Sequence, residues 1–191
     1  MWLVSFTYAL LLSTIPVIAM QTNDRHVMVF WASTPVGVRF LDQGKPNAWR
    51  GLVPLRSTRD EVERVLGAPT NSSHPHYFYD TEKEKVTVRY SADTCNRGSG
   101  ADWDVPVNTV LTITVTPKAE LLIKDLQLDL QNYARSEIAH PRGLVLYVSQ
   151  EEGIGIESKL EDGCEVVMSV TYQPTTKDKE LRCRNSKAAK G

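Results

Sequence analysis

The chain has 191 residues, of which 41% are hydrophobic and 24% charged, a balance typical of a globular protein and unlike that of a disordered tail. Its formal net charge of −1 argues against the strongly basic surface that nucleic-acid-binding proteins carry. A chain of this length predicts one domain, or two small halves that share a core.

The N-terminal segment of residues 1–19 is mainly apolar and contains no charged residue. Val17 and Ala19 are small enough for the −3 and −1 positions of a signal-peptidase site, which predicts cleavage after Ala19. The segment also lacks the usual basic residues and is long enough to cross a bilayer. We therefore expect an exported protein, periplasmic or secreted, with membrane attachment only if this segment is not cleaved.

The sequence contains three cysteines, Cys95, Cys164 and Cys183. An oxidising compartment favours one disulfide among them. Cys95 follows a strand-like segment and Cys183 lies in the polar C-terminal region, so we predict that this pair forms a bridge that fixes the C-terminal segment. Cys164 alternates with apolar residues as far as Val170, which predicts that it is buried on one face of a strand.

The clearest helix signal covers Arg59 to Leu66. Thr58 and Glu61 have the spacing of a capping box, in which each side chain accepts a hydrogen bond from the other residue's backbone N–H. Gly67 and Pro69 end the helix. Three apolar residues follow the helical period and predict a stripe that docks on a sheet: Val62, Val65 and Leu66.

Alternating β-branched and aromatic residues predict antiparallel strands along the rest of the chain. They cover residues 76–79, 86–90, 109–117, 144–148, 154–156 and 164–172. Asp162-Gly163 predicts a two-residue type I′ turn between the last two strands. Residues 118–138 predict a short helix with extended flanks.

A short helix followed by strands therefore occurs twice, in residues 51–117 and again in residues 118–183. An extended segment, residues 20–50, precedes them, and a flexible tail, residues 184–191, follows. The predicted fold class is α+β, an antiparallel sheet with short helices packed on one face.

The stretch Leu55 to Pro69, followed by the tyrosine-rich strand Tyr77 to Tyr79, carries the spacing ST-x-x-x-V-x-x-x-LG-x-P. This pattern resembles the SmpA/OmlA (BamE-type) domain and the related modules of β-lactamase inhibitor protein. The resemblance implies helices packed on an antiparallel sheet, in two such halves. The chain also resembles a group of exported bacterial proteins that carry WRGLVPLRST and end in LRC. BamE-type members are lipoproteins of outer-membrane protein assembly, and this chain has no cysteine at the cleavage site to carry a lipid.

Two imidazoles, His74 and His76, flank Pro75 and are the weak candidates for metal ligands, because the sequence offers no obvious third ligand. The loop from Cys95 to Asp104 is the candidate site of a hydrolase. A nucleophile pair of Cys95 with His140 would require a free thiol, which the predicted disulfide removes. The sequence thus predicts no catalytic residue, no cofactor and no firm metal site.

The sequence favours a non-catalytic exported module that binds or scaffolds another envelope or secreted protein, with no nucleic-acid partner. Alternating strands support this prediction, since they bury one face of the sheet and leave the other to meet a partner. The alternative is a small secreted hydrolase with its site in the Cys95–Asp104 loop.

Overall fold

A computed structural model describes residues 47–95, 102–138 and 143–183, all within the structural unit Gly37–Gly191. The predicted signal peptide (residues 1–19), most of the predicted extended segment 20–50 and the predicted tail (residues 184–191) lie outside the described residues. Among the helices described, none combines the length and hydropathy needed to span a membrane.

The described residues form one eight-stranded antiparallel sheet with short helices, so the predicted α+β class is confirmed. The elements are α1 (Arg59–Leu66), β1 (Asn71–Ser73), β2 (His76–Asp80), β3 (Glu84–Tyr90), β4 (Val110–Pro117), β5 (Ala134–Ile138), β6 (Leu144–Ser149), β7 (Ile154–Glu161) and β8 (Cys164–Tyr172). Three 3-10 helices cover Ile123–Leu126, Leu130–Asn132 and Thr176–Leu181. The strand order is β1-β2-β3-β4-β8-β7-β6-β5, so two runs of four consecutive strands meet where β4 pairs with β8.

Helix α1 begins and ends where the sequence predicts. The Thr58 N–H donates to the Glu61 carboxylate at 2.8 Å, and the Glu61 N–H donates to the Thr58 hydroxyl at 3.4 Å, which completes the capping box. Val62 is fully buried, whereas Val65, predicted to dock with it, is 43% exposed. At 3.6 residues per turn Val65 lies about 60° from Val62 around the helix, which places it at the edge of so short a docking face.

The main hydrophobic core lies between α1 and one face of the sheet. Alternate residues of β4 show why: Ile113 and Val115 are fully buried, while Thr112 and Thr114 lie half-buried on the opposite face. The first two 3-10 helices close the same core with Leu126 and a buried tyrosine. The other strands contribute Val86, Val88, Tyr90, Val145, Tyr147, Ile154, Ile156, Val167, Val170 and Tyr172.

The predicted burial of Cys164 is wrong, because its side chain is exposed. On β7, Glu157 pairs with Ser169 and Ser158 pairs with Val167, so Met168 is an extra residue on β8. Such a bulge shifts the in–out alternation by one residue. Residues on the Cys164 side of the bulge therefore alternate in the opposite phase to that expected from Val170.

The predicted tight turn after β7 is confirmed. Asp162 and Gly163 have φ angles of 47° and 80°, as a type I′ turn requires, and the flanking Glu161 and Cys164 pair across it. The predicted short helix within residues 118–138 is two 3-10 helices and the edge strand β5.

A second bulge interrupts the pairing of β3 with β4. Arg89 pairs with Thr112 and Tyr90 with Val110, so Leu111 is the extra residue. Since Val110 is buried in the main core, Leu111 points to the other side of the sheet. There it forms a small second cluster with Leu55 and Val105, against which Trp103 and Leu181 pack.

Candidate functional site

The C-terminal segment is fixed to the sheet by the predicted disulfide between Cys95 and Cys183, which is present with a Cα–Cα distance of 5.6 Å. Beside it, the Cys183 N–H donates to the Asp102 carbonyl oxygen at 3.0 Å. The Asp104 N–H donates to the Leu181 carbonyl oxygen at 2.7 Å. These bonds pair residues 102–104 with residues 181–183 and hold Trp103 next to Arg182.

The third 3-10 helix, Thr176–Leu181, is held in place by the buried carboxylate of Asp178. One oxygen accepts hydrogen bonds from the N–H and the hydroxyl of Thr175, both at 2.8 Å. The other accepts from the Arg56 guanidinium at 2.9 Å. By accepting these three hydrogen bonds, the carboxylate fixes the start of the 3-10 helix and ties the helix to the segment before α1.

These elements enclose two adjoining cavities of about 360 and 450 Å³, both lined by Arg89, Trp103 and Leu111. We call the two together the groove. The larger cavity, its basic half, is further lined by Lys179 and Arg182. The smaller cavity, its acidic half, is lined by His76, Asp93, Asp102, Pro75 and Tyr90 among others.

The basic half has three cationic side chains, Arg89, Lys179 and Arg182, and no carboxylate in its lining. Within the described part of the chain, no Asp or Glu forms a salt bridge with any of the three. The Arg182 guanidinium lies 4.6 Å from the ring centroid of Trp103, a cation–π contact that positions the charge. The basic half is therefore a concentration of positive charge that no salt bridge from the described residues neutralises.

The acidic half is lined by Asp93 and Asp102, both of which are exposed. In the main core, the hydroxyls of Tyr79 and Tyr90 are hydrogen-bonded to each other at 3.0 Å. Burial, reinforced by this hydrogen bond, raises the pKa of Tyr90 far above its ordinary value. The groove thus has two halves that differ in charge, since the carboxylates line only the smaller cavity and Lys179 and Arg182 line only the larger one.

The two histidines proposed as weak metal candidates flank a cis peptide bond between His74 and Pro75, and both are exposed. His76 lines the acidic half of the groove. In residues 47–95, 102–138 and 143–183 no three His, Cys, Asp or Glu side chains come together as a metal-binding group. The third ligand that a metal site at His74 and His76 requires is therefore not found in that part of the chain.

The Cys95–Asp104 loop, the candidate hydrolase site, contributes Asp102 and Trp103 to the walls of the groove. The Cys95 sulfur is bonded to that of Cys183, so it is not a thiol nucleophile. The nearby Ser91 hydroxyl donates to the Asp93 carbonyl oxygen at 2.8 Å. His140, which a nucleophile pair with Cys95 would require, lies outside the described residues.

Sequence reasoning did not identify the groove residues Arg89, Gln173, Lys179 and Arg182. They are polar residues on strands, turns and a 3-10 helix, where such residues are ordinarily solvated. One signal was available for Arg182, because the predicted disulfide places the residue before Cys183 beside the loop that follows Cys95.

No protein-family model matches the sequence, and the comparison with curated proteins gives no match. Among solved structures, the chain is similar to the crystal structure of a DUF4309 family protein (YjgB) from Bacillus subtilis subsp. subtilis str. 168. The two chains are 13% identical, with a TM-score of 0.44 over 66% of this chain and 84% of the Bacillus chain.

Proposed function

We propose that this protein is an exported, non-catalytic module that binds another envelope or secreted protein through the groove. The observation that carries the proposal is that covalent and hydrogen-bonded contacts within the chain fix the walls of the groove. Three sets of contacts fix these walls: the disulfide, the backbone hydrogen bonds between residues 102–104 and 181–183, and the contacts of Asp178. Trp103 lines both halves of the groove. Preorganised walls spare a binding site the entropy of ordering its own side chains.

The topology supports the further proposal of two BamE-like halves. Residues 51–117 provide α1 and β1 to β4, and residues 118–183 provide three 3-10 helices and β5 to β8. The last strand of each run, β4 and β8, pair at the centre of the sheet. The resemblance to the BamE-type and β-lactamase-inhibitor modules stays a prediction that rests on this arrangement and on the residues around α1.

The proposal is tested by crosslinking the protein to its partner in an envelope extract. Three proteins are compared: the unmodified chain, the groove variant Lys179→Glu/Arg182→Glu and the matched control Lys177→Glu. Lys177 is exposed on the same 3-10 helix and does not line the groove. We expect the unmodified chain and the control to crosslink to the same protein, and the groove variant to lose it.

Capture of the same protein by all three variants would place the binding surface elsewhere, and capture of none would contradict the module. Turnover of ester or amide substrates by the unmodified chain would favour the hydrolase alternative instead.

A further inference from the structure

We infer that the groove binds a peptide segment whose charges are separated, with carboxylates at one end and a cationic group at the other. The inference rests on the proposed function, because it names the chemistry of the partner segment that the groove would take. Three features of the groove carry it: its unneutralised cations, its opposing carboxylates and its side-chain amides.

The basic half fits carboxylate side chains. Arg89 and Arg182 each present a planar fork of N–H donors that can hold a carboxylate through two parallel hydrogen bonds, and Lys179 adds a mobile point charge. Arg89 is half-buried and forms no salt bridge with a carboxylate in the described part of the chain. A ligand carboxylate would supply that missing partner.

The acidic half distinguishes a peptide from a continuous polyanion. Asp93 and Asp102 line the smaller cavity and not the larger one, whereas Lys179 and Arg182 line the larger cavity and not the smaller one. A nucleic acid, a polyphosphate or an acidic polysaccharide carries charge along its whole length and would meet like charges there. A peptide can place glutamates at one end and a lysine at the other, so it satisfies both halves.

The amide side chains of Gln150 and Gln173 also line the basic half. Each carries one acceptor oxygen and two N–H donors, the complement of the peptide backbone. Their main chains are fixed, since the Gln173 N–H donates to the Gly153 carbonyl at 2.8 Å and the Gln150 carbonyl accepts from the Thr176 N–H at 3.0 Å. Hydrogen bonds from these amides to a peptide backbone would hold an extended segment, and the charges at the ends of that segment would determine which peptide binds.

The test measures binding of fluorescent hexapeptides to the full chain by fluorescence polarisation at low and high salt. Two peptides carry a pair of glutamates at one end and a pair of lysines at the other, in the two possible orders. The comparison peptides are hexaglutamate and a neutral hexapeptide in which glutamine replaces every charged residue. We expect one of the two charge-separated peptides to bind about tenfold more tightly than either comparison peptide, with affinity that falls as salt rises.

Two variants sharpen this test. Lys179→Glu/Arg182→Glu should weaken the charge-separated peptide about tenfold or more, and Lys177→Glu should leave its affinity unchanged. Asp93→Asn/Asp102→Asn should improve hexaglutamate binding, because the repelling charges are gone. Tightest binding of hexaglutamate to the unmodified chain, equal binding of the neutral peptide, or an equal loss with Lys177→Glu would each overturn the inference.

The outcome separates this inference from the proposed function. A partner that crosslinks through the groove, together with peptide binding that ignores charge, refutes the inference and leaves the proposed function standing. Absence of both a crosslinked partner and any peptide binding refutes both.

Discussion

Removal of the bridge between Cys95 and Cys183 tests how much of the fold and of the groove depends on one covalent bond. The bond joins positions 88 residues apart. For a loop of this length, closure entropy predicts a stabilisation of about 4.6 kcal/mol at 25 °C. A compact unfolded chain lowers this figure, so we expect Cys95→Ser/Cys183→Ser to lose about 3–4.5 kcal/mol of the free energy of unfolding.

The measurement is urea denaturation of the double variant in a Cys164→Ser background, compared with that background alone. Cys164 is exposed and free, so its replacement prevents disulfide exchange and should change the stability by less than about 0.5 kcal/mol. A single domain is stable by about 5–15 kcal/mol, so the double variant should retain a cooperative but weakened transition.

A local consequence is also expected. Without the bridge, residues 181–183 are held by two backbone hydrogen bonds and a few side-chain contacts, so the Asp104 amide should exchange with solvent by local opening. Loss of less than about 1 kcal/mol, or an Asp104 amide that still exchanges only on global unfolding, would show that packing and not the bridge fixes this end of the groove.

Two further predictions concern Gly153 and Tyr90. Gly153→Ala should cost about 2 kcal/mol more than the control Gly163→Ala, measured by urea denaturation. Both glycines have positive φ, but only at Gly153 would a Cβ lie 2.3 Å from a carbonyl oxygen, that of Gln173, and equal losses would contradict this. Stability should also fall above about pH 10, by roughly 1.4 kcal/mol per pH unit for each buried tyrosine. Burial raises the pKa of Tyr90, so the unfolded chain loses this proton first and high pH favours unfolding, and Tyr90→Phe should flatten the decline in urea midpoint.

The sequence predicted local structure well because each local element carried several agreeing signals. Helix α1 has a cap, an apolar face and a stop signal within a few residues, and its observed ends match. The turn at Asp162 and Gly163 was predicted from two residues, because few other sequences tolerate positive φ at both.

The two bulges account for much of what the sequence did not predict. A bulge adds one residue to a strand, and the sequence of the strand still alternates between apolar and polar residues on either side of the bulge. Near Met168 this reversed the predicted burial of Cys164, and near Leu111 it turned an apolar side chain toward the groove. Neither insertion leaves a composition signal, since the choice between registers depends on the partner strand.

The position of the groove explains why the most recognisable part of the sequence holds no candidate binding residue. Helix α1 packs through Val62 on the main core, whereas the groove uses the opposite face of the sheet, where Leu111 supports Trp103. Its cations come from the first run of strands and from the segment after β8: Arg89 lies on β3, next to the central strand β4, and Lys179 and Arg182 follow the central strand β8. Because β4 and β8 must pair before these charges approach each other, the groove forms only where the two runs of strands meet. The local patterns that are strong enough to be recognised in the sequence lie on the face of the sheet that packs on the main core. The groove residues come close together only once the sheet has assembled.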